Sequence, residues 1–215
     1  MTISGKVLAA LAFLTACAAA PKAPAQIDLP HTAALAGRDS AAATSPSPMP
    51  AKYVAPVWLS ASLKTRVLSV KMGDQTIRTY TVAVGQEKYP TPPGNYMIRT
   101  IVWNPSWKPP PNSKWAQGKT AKGPGEPGNP MKVVKIFFRE PDYYIHGTDD
   151  VESLGSAESH GCLRMDSDEI ADLAKMIMEH GGQPRDENWF WRIIHFRREE
   201  KVIYLDNPVS LTISD

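Results

Sequence analysis

The residues with the most chemical potential in this chain are Cys162, His160 and His146. A thiol attacks an acyl carbon only as the thiolate, and a free cysteine with a pKa of about 8.5 holds little of it at neutral pH. A neighbouring imidazole can remove the proton or pair with the thiolate. His160 stands two residues before Cys162, and in an extended segment both side chains leave the same face. His146 ends a short predicted strand and can face the sulfur from an adjacent one. Gly161 leaves the backbone uncrowded, so its N–H and that of Cys162 can point at a developing oxyanion. Two other readings of the same residues stay open. Cys162 and the histidines can be structural, the cysteine as a small buried hydrophobe. They can also bind zinc with Asp149, Asp150 or Glu158 as a fourth ligand, although no Cys-x-x-Cys is present.

The elements that must position these groups are mostly strands, giving a mainly β, α+β class. Residues 57–60 read as a first strand. Residues 63–72 and 76–84 form a hairpin whose turn, 71–75, contains Gly73 for a positive φ. Residues 95–103 follow through Pro92-Pro93-Gly94, then 132–138 and a short strand at 143–146. Residues 167–180 are the clearest helix. Asp166 or Ser167 can cap it, Asp168 and Glu169 suit its positive end, and Gly181-Gly182 stops it. A second helix is expected over 188–198, and strands at 201–205 and 209–213 close the chain. Residues 104–129, rich in Pro and Gly, form a long connection of the kind that is usually functional. Trp107 and Trp115 within it suggest a lid or groove wall, or an Ω-loop whose tryptophans only plug the core edge.

The chain has 215 residues, 20 of them proline, and a formal net charge of +2. That balance points to neither nucleic acid nor a strongly acidic partner. Lys6 precedes an apolar run over 7–14 that is too short to span a bilayer and fits a signal peptide. The run ends in Leu14-Thr15-Ala16-Cys17, which resembles a bacterial lipobox. In such signals the cysteine is lipidated and becomes the new N-terminus. An ordinary signal cleaved after Ala20 would instead discard Cys17. Residues 1–17 are therefore expected to be a signal with lipobox, 18–55 an Ala/Pro/Ser-rich linker that buries too little to order itself, and 56–215 the catalytic domain. Cys17 and Cys162 are the two cysteines, and with separate tasks they are not expected to pair.

His146-Gly147-Thr148 followed by Ser159-His160-Gly161-Cys162-Leu163-Arg164 resembles the signature of the YkuD-type L,D-transpeptidases. Thr91-Pro92-Pro93-Gly94-Asn95-Tyr96 resembles that family's approach to a strand. Trp103 to Pro110 and Pro124 to Pro130 resemble its long loop. The resemblance covers roughly residues 57–180. It implies a YkuD-like β-sandwich with one or two helices and a lid loop. Position by position, it implies Cys162 as nucleophile and His146 as general base, the base oriented by the Gly147 carbonyl. His160 and Gly161 would shape the oxyanion site, with Ser159, Arg164, Trp107 and Trp115 on the substrate side. It further implies that no metal or organic cofactor is needed.

The implied reaction is acyl transfer on peptidoglycan stem peptides. Cys162 attacks the diaminopimelate carbonyl of a tetrapeptide, D-alanine leaves, and an amine takes the thioester. Water as acceptor would make an L,D-carboxypeptidase, and loss of turnover would leave a wall-binding lipoprotein. The expected location is the periplasmic face of the cell envelope, tethered to a membrane through Cys17. With Ala18 and not Asp next to it, that is the outer membrane in a cell with two membranes. A flexible linker of this length spans roughly 30–35 Å, enough to hold the domain near the wall. Cys17→Ala should move the protein from the membrane fraction to the soluble fraction of fractionated cells without lowering the activity of the purified domain.

Overall fold

The computed structural model describes residues 54–111, 113–196 and 198–215. The expected signal, Cys17 and the linker up to residue 53 lie outside the described residues. In chain order the elements are β1 (Val57–Ser62), β2 (Val67–Met72), β3 (Gln75–Thr81), β4 (Val84–Gly85), β5 (Gly94–Trp103), β6 (Val134–Arg139), β7 (Tyr143–Thr148), β8 (Ala157–Ser159), β9 (Leu163–Asp166), α1 (Ser167–His180), α2 (Glu187–His195) and β10 (Lys201–Ser214). The mainly β, α+β class expected from the sequence holds. Eight strands make one sheet in the order β3-β2-β1-β10-β5-β6-β7-β9, and β4 pairs with β8 in a small second sheet. Just past β3, Ala83 exchanges both backbone hydrogen bonds with Arg164 of β9, at 3.0 and 2.9 Å. The two outer strands of the large sheet are thereby tied across a shared core.

Local sequence explains most boundaries. Gly73, with φ at 56°, turns β2 into β3. β6 begins only at Val134 because Lys132 takes a positive φ of 56°, which extended pairing does not tolerate. The two closing strands expected from the sequence are one strand, β10. Its ladder with β5 shifts register between Tyr204 and Val209. Pro208 lies in that gap and has no N–H to give, and a bulge accommodates it without ending the strand. α2 stops at His195, three residues short of the expected end.

α1 packs its buried Ile170, Leu173, Ala174 and Ile177 into the core. Asp166 is its cap, accepting from the N–H groups of Asp168 and Glu169 at 2.8 and 3.2 Å. Trp103, at the end of β5, is fully buried. Its indole N–H donates to Met178 Sδ at 3.2 Å, and its ring packs on Trp189 and Phe190 of α2. Both helices are thus fixed against the same central strands. Among the described residues no helix is long and apolar enough to cross a membrane.

Candidate active site

The sequence Ser159-His160-Gly161-Cys162 is where the chain leaves the small sheet for the large one. β8 pairs with β4, whereas β9 pairs in parallel with β7, so the connection must bend sharply. Gly161 makes the bend with φ at 107°. A Cβ there would lie 3.0 Å from the ring of Tyr143, so both conformation and space demand glycine. Ser159 is buried and braces the bend from both sides. Its hydroxyl donates to the Cys162 carbonyl at 2.5 Å and accepts from the Gly161 N–H at 3.1 Å.

This geometry corrects two expectations. The segment is not extended, so His160 and Cys162 do not share a strand face. The Gly161 amide is committed to Ser159, so it does not face an oxyanion. Gly161 contributes the bend, and the Cys162 amide is the remaining candidate of the two.

Cys162 is a free thiol with intermediate exposure. Its sulfur lies 3.5 Å from the Asp142 carbonyl, which accepts from the thiol. Burial pushes the thiol up to about 11, against the opposing pull of the Tyr144 backbone and phenol and the Arg164 charge. Burial outweighs those opposing pulls.

His146 is buried on β7, and its Nδ1 lies 2.8 Å from the Gly147 carbonyl. Burial pushes it down to about 4. The charges of Arg164 and Lys135 act in the same direction, and the carbonyls of Gly147 and Pro130 oppose them. At neutral pH the ring is uncharged. With Nδ1–H donated to Gly147, Nε2 carries the ring's lone pair. The orienting role expected of the Gly147 carbonyl therefore has its geometry. A Cβ on Gly147 would meet Ser167 Oγ at 3.0 Å and Lys132 Cβ at 3.1 Å.

His146 lies on β7 and Cys162 immediately precedes β9, and these strands pair with Ile145 opposite Leu163 and His146 opposite Arg164. Tyr144 touches both. Its backbone and phenol act on the Cys162 thiol, pulling its pKa down, and its ring packs edge-on against His146 with centroids 5.6 Å apart. Tyr144 is a site residue that sequence reasoning passed over. Its signal was present, because a residue two before His146 on a strand shares that residue's face.

Arg164 is engaged by the protein. It donates to the Glu158 carbonyl at 3.2 Å and lies 3.7 Å from the Asp150 carboxylate. Its position fits holding the site and not an open carboxylate receptor. His160 stacks on Trp115 at 4.1 Å and lies 5.0 Å from the Tyr89 ring. The long loop therefore does reach the catalytic bend, through Trp115.

Trp107 does not line the site in this way. It is buried, and its backbone pairs with Lys122 at 2.8 and 2.9 Å, so it holds the loop together. Lys122 itself is paired with Glu126, and Lys119 lies over the Trp115 ring at 5.1 Å. The loop's neck is fastened to the end of the chain. Asn104 donates to the Ile193 carbonyl at 2.9 Å, and Ser106 donates to the Glu200 carboxylate through its N–H and hydroxyl at 2.6 and 2.8 Å. That gives α2, through Ile193, and Glu200 beyond it a structural task. Among the described residues no group of three or more His, Cys, Asp or Glu side chains is placed to hold a metal ion.

Residues 56–188 match the family described as the L,D-transpeptidase catalytic domain, YkuD. YkuD of Bacillus subtilis (strain 168) is 26% identical over 129 residues, covering 60% of this chain and 65% of that protein. YqjB of the same organism is 31% identical over 119 residues, covering 53% of this chain and 62% of that protein. The chain thus spans less than two thirds of the length of these curated relatives. Among solved structures, an L,D-transpeptidase from Mycobacterium smegmatis aligns with a TM-score of 0.47 at 15% identity, over 74% of this chain and 58% of that one.

The bracing of the bend is open to a direct test. Ser159→Ala removes the partner of the buried Gly161 amide and should cost about 1–3 kcal/mol in chemical denaturation. Ser159→Thr keeps the hydroxyl and should recover most of that loss.

Proposed function

The chain belongs to the YkuD family of L,D-transpeptidase catalytic domains, and on that premise we propose that it is a cysteine acyltransferase acting on peptidoglycan stem peptides. The observation that carries this reading is the bond between His146 Nδ1 and the Gly147 carbonyl at 2.8 Å. It orients the imidazole, which burial keeps neutral, on the strand beside the one that follows Cys162.

In the proposed cycle the thiol proton leaves the Asp142 carbonyl and passes to His146 as sulfur attacks the diaminopimelate carbonyl. The Cys162 amide faces the oxyanion. The tetrahedral intermediate collapses to a thioester, and the proton goes to the departing D-alanine amine. An acceptor amine then attacks the thioester, His146 takes its proton, and the thiol is regenerated. Thiol and imidazole are both uncharged at rest, so proton transfer accompanies attack and no preformed ion pair is needed. Trp115 over His160 supplies apolar cover of the kind that favours an amine over water at the thioester. The same proposal places the enzyme in the cell envelope, tethered through Cys17.

Incubation with defined tetrapeptide muropeptides and mass spectrometry tests the reaction. The native chain should yield cross-linked dimer and Cys162→Ala none. Tripeptide alone, at every acceptor concentration, would make the protein an L,D-carboxypeptidase.

The pH profile tests the base. The His146-assisted rate is lost only as pH falls through about 4, where the ring takes a proton, and unaided thiolate accumulates up to about 11. Acylation by a carbapenem should therefore be nearly flat from pH 5 to 8 in the native chain. In His146→Ala it should climb roughly tenfold per pH unit over that range, since only the ionised thiol then reacts.

A further inference from the structure

Lys135 is a cation near the nucleophile that forms no ion pair with any carboxylate among the described residues. On β6 it stands opposite His146, with Phe137 opposite Tyr144 on the same pair of strands. Directly paired residues share a sheet face, so Lys135, Phe137, Tyr144 and His146 form one patch. The ammonium lies 5.1 Å from the Phe137 ring centroid and 5.6 Å from that of Tyr144, and β7, which carries Tyr144 and His146, pairs on its other side with β9, the strand that follows Cys162.

Among the described residues no carboxylate comes within 4.0 Å of Lys135, since the ion pairs formed there use other cations. Glu200, the acid that acts on it most, is held instead by the Ser106 N–H and hydroxyl. Burial lowers the Lys135 pKa. Half-burying an ammonium without a partner costs free energy, and the aromatic faces return only part of it. The other cation near the sulfur, Arg164, is already engaged by Glu158 and Asp150.

We propose that Lys135 is a carboxylate subsite for the acyl donor, its ammonium pairing with a carboxylate of the peptide whose carbonyl Cys162 attacks. This rests on the reaction proposed above. Such a donor offers two candidate carboxylates, that of the leaving D-alanine, close to the scissile amide, and that at the far end of the diaminopimelate side chain. Either supplies the missing counter-charge. The Phe137 and Tyr144 rings hold the ammonium in place before the donor arrives.

Three tetrapeptide donors distinguish the sources when turned over by the full-length chain. One has both carboxylates free, one is a terminal carboxamide and one a side-chain carboxamide. Amidating the contacted carboxylate should raise the KM of the native chain about tenfold or more, as expected for loss of a charged hydrogen bond, with a smaller change in kcat. Lys135→Met should raise KM similarly for the free donor and add nothing for the donor amidated at the contacted carboxylate. Lys135→Arg, which keeps the charge, should restore the free donor's KM. Equal KM values for all three donors in the native chain overturn the subsite alone, as does an equal loss on all three in Lys135→Met. Absence of Cys162-dependent turnover of any donor by the native chain overturns the proposed function, and the subsite with it.

Discussion

The Ser159 hydroxyl holds the bend that carries the nucleophile, donating to one side and accepting from the other. The constraint behind it is topological. β8 belongs to the two-stranded sheet and β9 to the large one, and only three residues connect them. A strand change over so short a distance needs a residue at positive φ, which Gly161 provides, and an internal partner for the amide turned inward, which Ser159 provides. Cys162 follows at once, its sulfur directed toward the Asp142 carbonyl and Tyr144. Because β9 then pairs with β7, the same crossing sets His146 opposite Arg164. The placement of nucleophile, imidazole and arginine thus descends from one bend.

Burial decides the charge state of that arrangement. It raises the thiol to about 11 and lowers the imidazole to about 4, so each group is pushed toward its neutral form. The two cations nearby, Arg164 and Lys135, act against a third positive charge on His146. The Gly147 carbonyl holds the Nδ1 proton, but it does not overcome that penalty. The thiol and the imidazole thus rest uncharged beside two cations. In the proposed cycle such a pair reacts only when a substrate carbonyl arrives to receive the electron pair as the proton moves.

Much of this was legible in the sequence where the signal is local. The hairpin turn at Gly73, the Asp166 cap of α1 and the glycine before Cys162 each follow from the demands of a few consecutive residues. The neighbourhood of His146 and Cys162 was legible through the family-like spacing. What the sequence could not carry depends on register and on strand exchange. Lys135 enters the site because β6 pairs with β7 at His146, and nothing in residues 132–138 announces that partner. The commitment of the Gly161 amide to Ser159 requires the bend itself. An extended reading of the same four residues leaves that amide free. Trp107 and Trp115 have the same composition and stand in the same loop, yet one is buried within it and the other stacks on His160. Their difference lies in the backbone pairing of Trp107 with Lys122.

The end of the chain shows how a segment beyond the matched family stretch can still serve the site. That stretch stops at residue 188, just inside α2. Yet Ile193 accepts from Asn104, and Glu200 from Ser106, at the neck of the long loop. Asn129 closes the other end of that loop by donating to the Pro105 carbonyl at 2.8 Å. With both ends pinned, the loop has little freedom to place Trp115 elsewhere, and the stack on His160 becomes a consequence of anchoring as much as of ring attraction. Glu200 has a second effect. By accepting from Ser106 it fastens the loop while staying out of ion-pair distance of Lys135, so the carboxylate that could neutralise that lysine is spent on holding the site's wall. The loop's stability and the unpaired charge beside the nucleophile are in this sense two outcomes of one hydrogen-bonding choice.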